Sequence, residues 1–188
     1  TSISIVLNHL QLFENATFAT DFRYEQGRNK GKNQPEDLFS RWNFELKFNR
    51  YQSIGDQLFR HSHQLTAQYS HDYLSSIKQE DLTGRYRVRG LNDLSLSAEK
   101  NIVLHNDIAW VKVTEFGTFL PYVGIDFGVQ KSTQANAQRE QAFAYAVGVN
   151  WEQKAFQANL EWAMGRLFSK TDDVKQERLV LGSISYKF

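Results

Sequence analysis

Period-two alternation of apolar and polar residues runs along nearly the whole chain, and it limits the possible folds more than any other feature. The stretch 141–153 is nearly ideal. Phe143, Tyr145, Val147, Val149 and Trp151 alternate there with Ala142, Ala144, Ala146, Gly148 and Asn150. Successive side chains of a strand point to opposite faces, so one face is apolar and the other small or polar. About nine such segments can be counted: 2–12, 16–26, 41–51, 57–71, 101–113, 118–130, 141–153, 155–167 and 178–188. Each is close to the ~9–11 residues of a tilted membrane-crossing strand. Helical periodicity appears nowhere over a comparable length. The expected class is all-β.

The connections decide between kinds of β protein. Those at 13–15, 52–56, 114–117 and 152–155 are short, whereas those at 27–40, 72–100, 131–140 and 169–177 are long and polar. Short turns at one end and long loops at the other are the layout of an outer-membrane barrel. A soluble sandwich has no reason to sort its loops this way. Aromatics are 14% of the chain while mean hydropathy is −0.53. That combination fits strands apolar towards lipid and polar towards a wet lumen, and Trp42, Trp110, Trp151 and Phe188 lie near segment ends, as interfacial girdles require. Single-chain bacterial barrels have even strand counts. An odd count beginning inside a strand is therefore expected of the C-terminal portion of a larger barrel. The last strand closes on Tyr186 and Phe188, which looks like the C-terminal signal of bacterial outer-membrane proteins.

Other functions find little support. With 22 basic and 21 acidic residues the chain lacks the basic excess of a nucleic-acid binder, and with no cysteine it has neither disulfides nor a thiolate metal site. His61 and His63 share one strand face, but no third metal ligand is evident. Glu45 and Glu161 sit singly on polar faces and form no acid/base pair. There is no nucleophile elbow and no phosphate-binding glycine loop. No enzyme activity and no cofactor are expected. Arg28, Lys30 and Lys32 form a small basic cluster in a loop. It reads as a solvated loop or as a contact for lipopolysaccharide phosphate.

Residues 72–100 are the longest interruption. Tyr86, Arg87, Val88, Arg89, Gly90 and Leu91 lead through Leu94, Ser95, Leu96, Ser97, Ala98, Glu99 and Lys100 into Asn106, Asp107, Ile108, Ala109 and Trp110. In isolation, Val88-Arg89-Gly90 is a basic turn with a glycine. In this setting the run resembles the VRGF/Y, LS, E and RNDL.W signature of the TpsB transporters of two-partner secretion, in the Omp85 superfamily. Tyr122 to Gly128 resembles that family's strand with an inward acidic residue. Gly165 and Arg166, with the closing strand, resemble its C-terminal end. The resemblance implies a transmembrane antiparallel β-barrel of about sixteen strands, an even count in the bacterial range. It also implies that residues 72–100 fold into the lumen, with Val88, Arg89, Gly90 and Leu91 at the tip and Arg89 paired to Asp126. The residues agree with this. Asp126 lies on the polar face of 118–130, and Gly124 and Gly128 leave room for a guanidinium, though a solvated lumen carboxylate has the same pattern. Two positions depart from the family: Leu91 replaces an aromatic, and His105, for which no role is expected, replaces an arginine.

The implied function is outer-membrane secretion of a large TpsA-type exoprotein (an adhesin, haemolysin or contact-dependent inhibition toxin). Outer-membrane lipid, lipopolysaccharide and the barrel-assembly machinery are further expected partners, and nucleic acid is not. The family's POTRA domains and plug helix are expected to lie outside these residues. An Omp85-type insertase and a plain porin-like barrel are the alternatives.

Overall fold

The computed structural model describes residues 1–29, 37–91, 96–169 and 174–187. All nine alternating segments are strands of one antiparallel sheet. In chain order they are β1 (Ser2–Leu12), β2 (Ala16–Asn29), β3 (Asp37–Ile54), β4 (Gln57–Tyr69), β7 (Lys100–Thr114), β8 (Gly117–Lys131), β9 (Arg139–Gln153), β10 (Phe156–Phe168) and β11 (Lys175–Tyr186). Two short strands, β5 (Glu80–Asp81) and β6 (Ser97–Ala98), pair with each other inside the long loop. Each long strand pairs with its neighbour in the sheet order, and β4 pairs directly with β7 from Leu58↔Val111 to Gln68↔Asn101.

Several strands run past the alternating segments. β3 starts at Asp37 rather than at 41, and β2 continues to Asn29, because the pairs Gly27↔Phe39, Arg28↔Leu38 and Asn29↔Asp37 extend the ladder beyond the alternating segments. Ladder hydrogen bonds use the backbone, so pairing continues where the apolar pattern stops. At the other end two-residue turns close the hairpins β3–β4, β7–β8 and β9–β10. Gly55 (φ +59) and Lys154 (φ +53) take the left-handed conformation that such tight turns require. Pro121 interrupts one seam. Pairing between β7 and β8 skips from Ala109↔Tyr122 to Lys112↔Phe119, since proline has no N–H to offer.

The two faces of the sheet differ sharply on β8. Val123 and Ile125 are 57% and 56% exposed, while Asp126 between two such outward residues is 0% exposed. The outer face is an apolar stripe that continues through Tyr145 and Leu160. The inner face carries the long loop. His61 and His63 fall on the outer face, where His63 Nδ1 lies 2.8 Å from Asn106 Oδ1. Tyr186 stacks obliquely against Phe156, ring centres 4.8 Å apart. Phe188, Lys30 and Lys32 lie outside the described residues.

Candidate functional site

The loop between β4 and β7 folds back over the inner face instead of extending away from the sheet. Its root is tied to the wall by Ser40 N–H, which donates to Asp72 Oδ2 at 2.7 Å. A single turn of 3-10 helix, Ser76–Lys78, follows. The β5–β6 pair then holds the outgoing and returning limbs together. Glu99, fully buried, accepts from Leu74 N–H (3.4 Å), Gln79 Nε2 (2.8 Å) and Thr133 N–H (3.1 Å). Burial by itself would push the Glu99 carboxyl up. Hydrogen bonds from its own backbone N–H, the Thr133 N–H, the Ser132 hydroxyl and the Leu74 N–H outweigh that and hold it below its ordinary value of 4.5.

The tip is a compact turn. Leu82 N–H donates to Leu96 O at 2.8 Å and Val88 N–H to Leu82 O at 3.2 Å. Leu82, Val88 and Leu91 then pack with Val103, Ala142, Ala144 and Leu167 in an apolar cluster. Leu91, where the related pattern has an aromatic, is 1% exposed and fills space above Gly165. The wall under the tip is built of small residues, and close approach requires them. A Cβ on Gly165 would lie 2.5 Å from Leu91 Cγ and 2.7 Å from Arg89 O. A Cβ on Gly128 would meet Leu82 Cδ1 at 2.6 Å and Val88 Cγ2 at 2.8 Å. Gly90 takes φ +73, and a Cβ there would meet Gly165 N at 2.6 Å. Backbone therefore lies almost on backbone.

Arg89, 2% exposed, points into an acidic seat drawn from three strands. Its Nε donates to Asp126 Oδ2 at 2.8 Å, its Nη2 to Asp126 Oδ1 at 2.9 Å, and its backbone N–H to Asp126 Oδ2 at 3.1 Å. Nη1 reaches Glu161 Oε2 at 3.0 Å, and Nη2 lies 2.9 Å from Asp107 Oδ1 in an ion pair without hydrogen-bond alignment. The fork geometry needs a planar guanidinium, and lysine offers no equivalent.

Strand register explains how these groups converge. His105 on β7 faces Asp126 on β8, and Asp107 faces Gly124. The guanidinium lies over Gly124, which has no side chain to block it. Tyr122, Gly148 and Glu161 form one row across β8, β9 and β10. Gly148 lets the Tyr122 ring cross β9 and donate to Glu161 Oε2 at 2.7 Å. Two side chains assigned nothing from the sequence belong to this seat. Glu161 does not stand alone on its face. His105 bridges Asp126 (Nδ1–Oδ1, 3.0 Å) and Asp107 (Nε2–Oδ2, 3.3 Å). Period-two parity placed both on the inner face, but only the register between strands shows that they meet Arg89. Tyr186 is remote from the seat, at the opposite end of the sheet's last strand.

Among the described residues no group of three or more His, Asp or Glu forms a cation cage, and no helix is long and apolar enough to cross a membrane. The second observation says nothing of strands. The seat is closed over by the loop, with Arg89 2% and Asp126 0% exposed. It holds a loop.

A loop tied by its arginine to the inner face of an outwardly apolar antiparallel sheet defines a class, the transmembrane β-barrel with an inward-folded loop. The structure is similar to CdiB from Acinetobacter baumannii, with a TM-score of 0.75 over 97% of this chain and 32% of that one, at 19% identity. The family model for haemolysin secretion/activation proteins ShlB/FhaC/HecB matches residues 1–151, and the chain belongs to that family of transporters. Among curated relatives it is 23% identical to the hemolysin transporter protein HpmB of Proteus mirabilis, aligning along 100% of this chain and 36% of the relative. It is likewise 23% identical to the hemolysin transporter protein ShlB of Serratia marcescens, along 100% of this chain and 35% of the relative. The chain thus spans about a third of the length of these relatives.

Proposed function

We propose that this chain is the C-terminal part of an outer-membrane translocator. It would carry one large partner exoprotein (an adhesin, haemolysin or contact-dependent inhibition toxin) from periplasm to cell surface. Residues 72–100 would be the loop that keeps the pore competent for secretion, anchored at Arg89 by Asp126, Glu161 and Asp107. The observation carrying this reading is the buried guanidinium held by carboxylates from three separate strands. Such a seat fixes the position of a loop inside a barrel. The exposed apolar face fits outer-membrane lipid, since an exposed patch of this size calls for a non-aqueous neighbour. Arg28 stands at the end of the sheet that would face lipopolysaccharide. The closing strand ending near Tyr186 would be what the barrel-assembly machinery reads.

The test is secretion by cells carrying the full-length transporter. Arg89→Ala and Asp126→Ala should insert normally, as judged by heat-modifiable gel mobility. Secretion of the partner should fall at least about tenfold, because a buried ion network that loses one partner forfeits roughly 3–5 kcal/mol. Undiminished secretion by both variants would sink the proposal.

A further inference from the structure

The long loop touches the wall at a second place, remote from its tip. Glu25 on β2 is 5% exposed. Its Oε2 accepts from Arg41 Nε at 2.7 Å, and its Oε1 pairs with Lys78 Nζ. Arg41 Nη1 donates to the carbonyl oxygen of the same Lys78 at 2.6 Å. One loop residue is therefore held twice, by side chain and by backbone. The Lys78 ammonium also sits 4.5 Å from the ring centre of Phe39, which is 2% exposed. The network continues to the returning limb. Arg41 Nη1 reaches Gln68 Oε1 at 3.4 Å, and Gln68 Nε2 donates to Ala98 O at 3.2 Å.

This shoulder and the tip share no residue. The tip is seated by β7 to β10, the shoulder by β2 and β3. The β5–β6 pair, and Arg87 reaching Glu80 and Thr66, lie between them. A carboxylate as buried as Glu25 is stable only while its cations stay in place, so the contact cannot fade gradually. Beside the root tie at Asp72 and the Glu99 cluster, the tip and the shoulder are two footings, each with its own buried acid.

We propose that Glu25, acting with Arg41 through Lys78, is a second positioning residue of the loop. It holds the shoulder on β2–β3 independently of Arg89, so that the tip can leave its acidic seat while the rest of the loop stays inside. The consequence for secretion rests on the translocator reading above; the two footings do not.

These 188 residues contain no cysteine, and any cysteine elsewhere in the full-length transporter is first replaced by serine. Leu74→Cys reports the shoulder and Val88→Cys the tip, since both side chains are fully buried. In outer membranes holding the full-length transporter, their reaction with a membrane-impermeant maleimide is timed. Glu25→Gln should speed modification at residue 74 about tenfold and change residue 88 less than about twofold, as local opening of one attachment predicts. Arg89→Ala should do the reverse. Lys78→Arg, which keeps the charge, should leave both rates as they were. Unchanged labelling at residue 74 in Glu25→Gln, with the barrel folded by gel mobility, overturns the proposal. So does equal acceleration at both positions in either variant, which would mean that the loop moves as one body. Exoprotein secretion, read in the same cells, reports on the translocator reading separately. A split in labelling upholds the second footing whether or not secretion falls.

Discussion

The inner faces of β2–β4 and of β8–β10 are built to opposite ends. Under the loop tip the wall offers Gly124, Gly128, Ala142, Ala144 and Gly165; the tip backbone lies on Gly165, and the side chains of Arg89, Leu82 and Val88 cover the others. On β2–β4 the corresponding positions are Asp21, Arg23, Asn43, Glu45, Lys47 and Gln64, long and polar and left partly open. The outer faces of both regions are mainly apolar and aromatic, interrupted on β4 by His61 and His63. What decides where the loop lies is therefore the size of the inward residue. Small residues admit a second layer of chain, and large charged ones keep the space wet and clear. The footings on the polar side, Lys78 on Glu25, Arg87 on Thr66 and Asp72 on Ser40, are made by side chains reaching across, and the footing on the small side by direct contact plus a buried arginine.

That contrast can be broken from its strongest point downward. Arg89→Met should be the largest single loss on the small side. It leaves Asp126, Glu161 and Asp107 facing one another without a guanidinium, at a cost of roughly 3–5 kcal/mol. The measurement is denaturant unfolding of the refolded full-length barrel in detergent, with loop proteolysis alongside. Gly165→Val tests close packing without touching a charge. Its side chain would enter the space of Leu91 and Arg89 O, costing about 1–3 kcal/mol as overpacking does. Protease sites near residue 86 should then be cut faster.

Glu99→Gln should cost about 1–2 kcal/mol, because an amide presents N–H groups to donors that a carboxylate accepts. The same residue sets a pH dependence. Its carboxyl is depressed in the folded state, so its contribution is fully present above the ordinary value of 4.5 and is lost as pH falls through the lower folded value. Loop proteolysis should accelerate in that acid range in the wild-type chain, and the acceleration should shrink in Glu99→Gln. Arg23→Ala, on the open side, should change stability by less than about 0.5 kcal/mol. A loss as large as that of Gly165→Val would erase the distinction between the two walls.

Much of this was legible in the residues. Parity alone puts Asp126 inward beside two glycines, and the uneven connections separate the two ends of the barrel. The alternation of Phe143 to Trp151 with Ala142 to Gly148 marks β9 as a strand. It does not reveal that those alanines are the floor of a loop, because smallness has many causes and the covering residues lie some fifty positions earlier. Glu161, His105 and Glu25 were legible as inward and no more. Their partners are set by the pairing register and by the path of the loop, neither of which leaves a local signal. Strand ends were misjudged for a similar reason, since the added β2–β3 pairs, Gly27↔Phe39 and Arg28↔Leu38 among them, carry no clean alternation.

The direct ladder between β4 and β7 has a further consequence. The wall is continuous across the point where the chain departs for some thirty residues and comes back. The excursion is a detour on an intact fabric, and shortening or replacing it would leave every pairing in the sheet as it stands. Wall and filling are thus two layers of one chain, joined by an apolar cluster, a close backbone contact at Gly90 and Gly165, and a few buried acids that meet their cations.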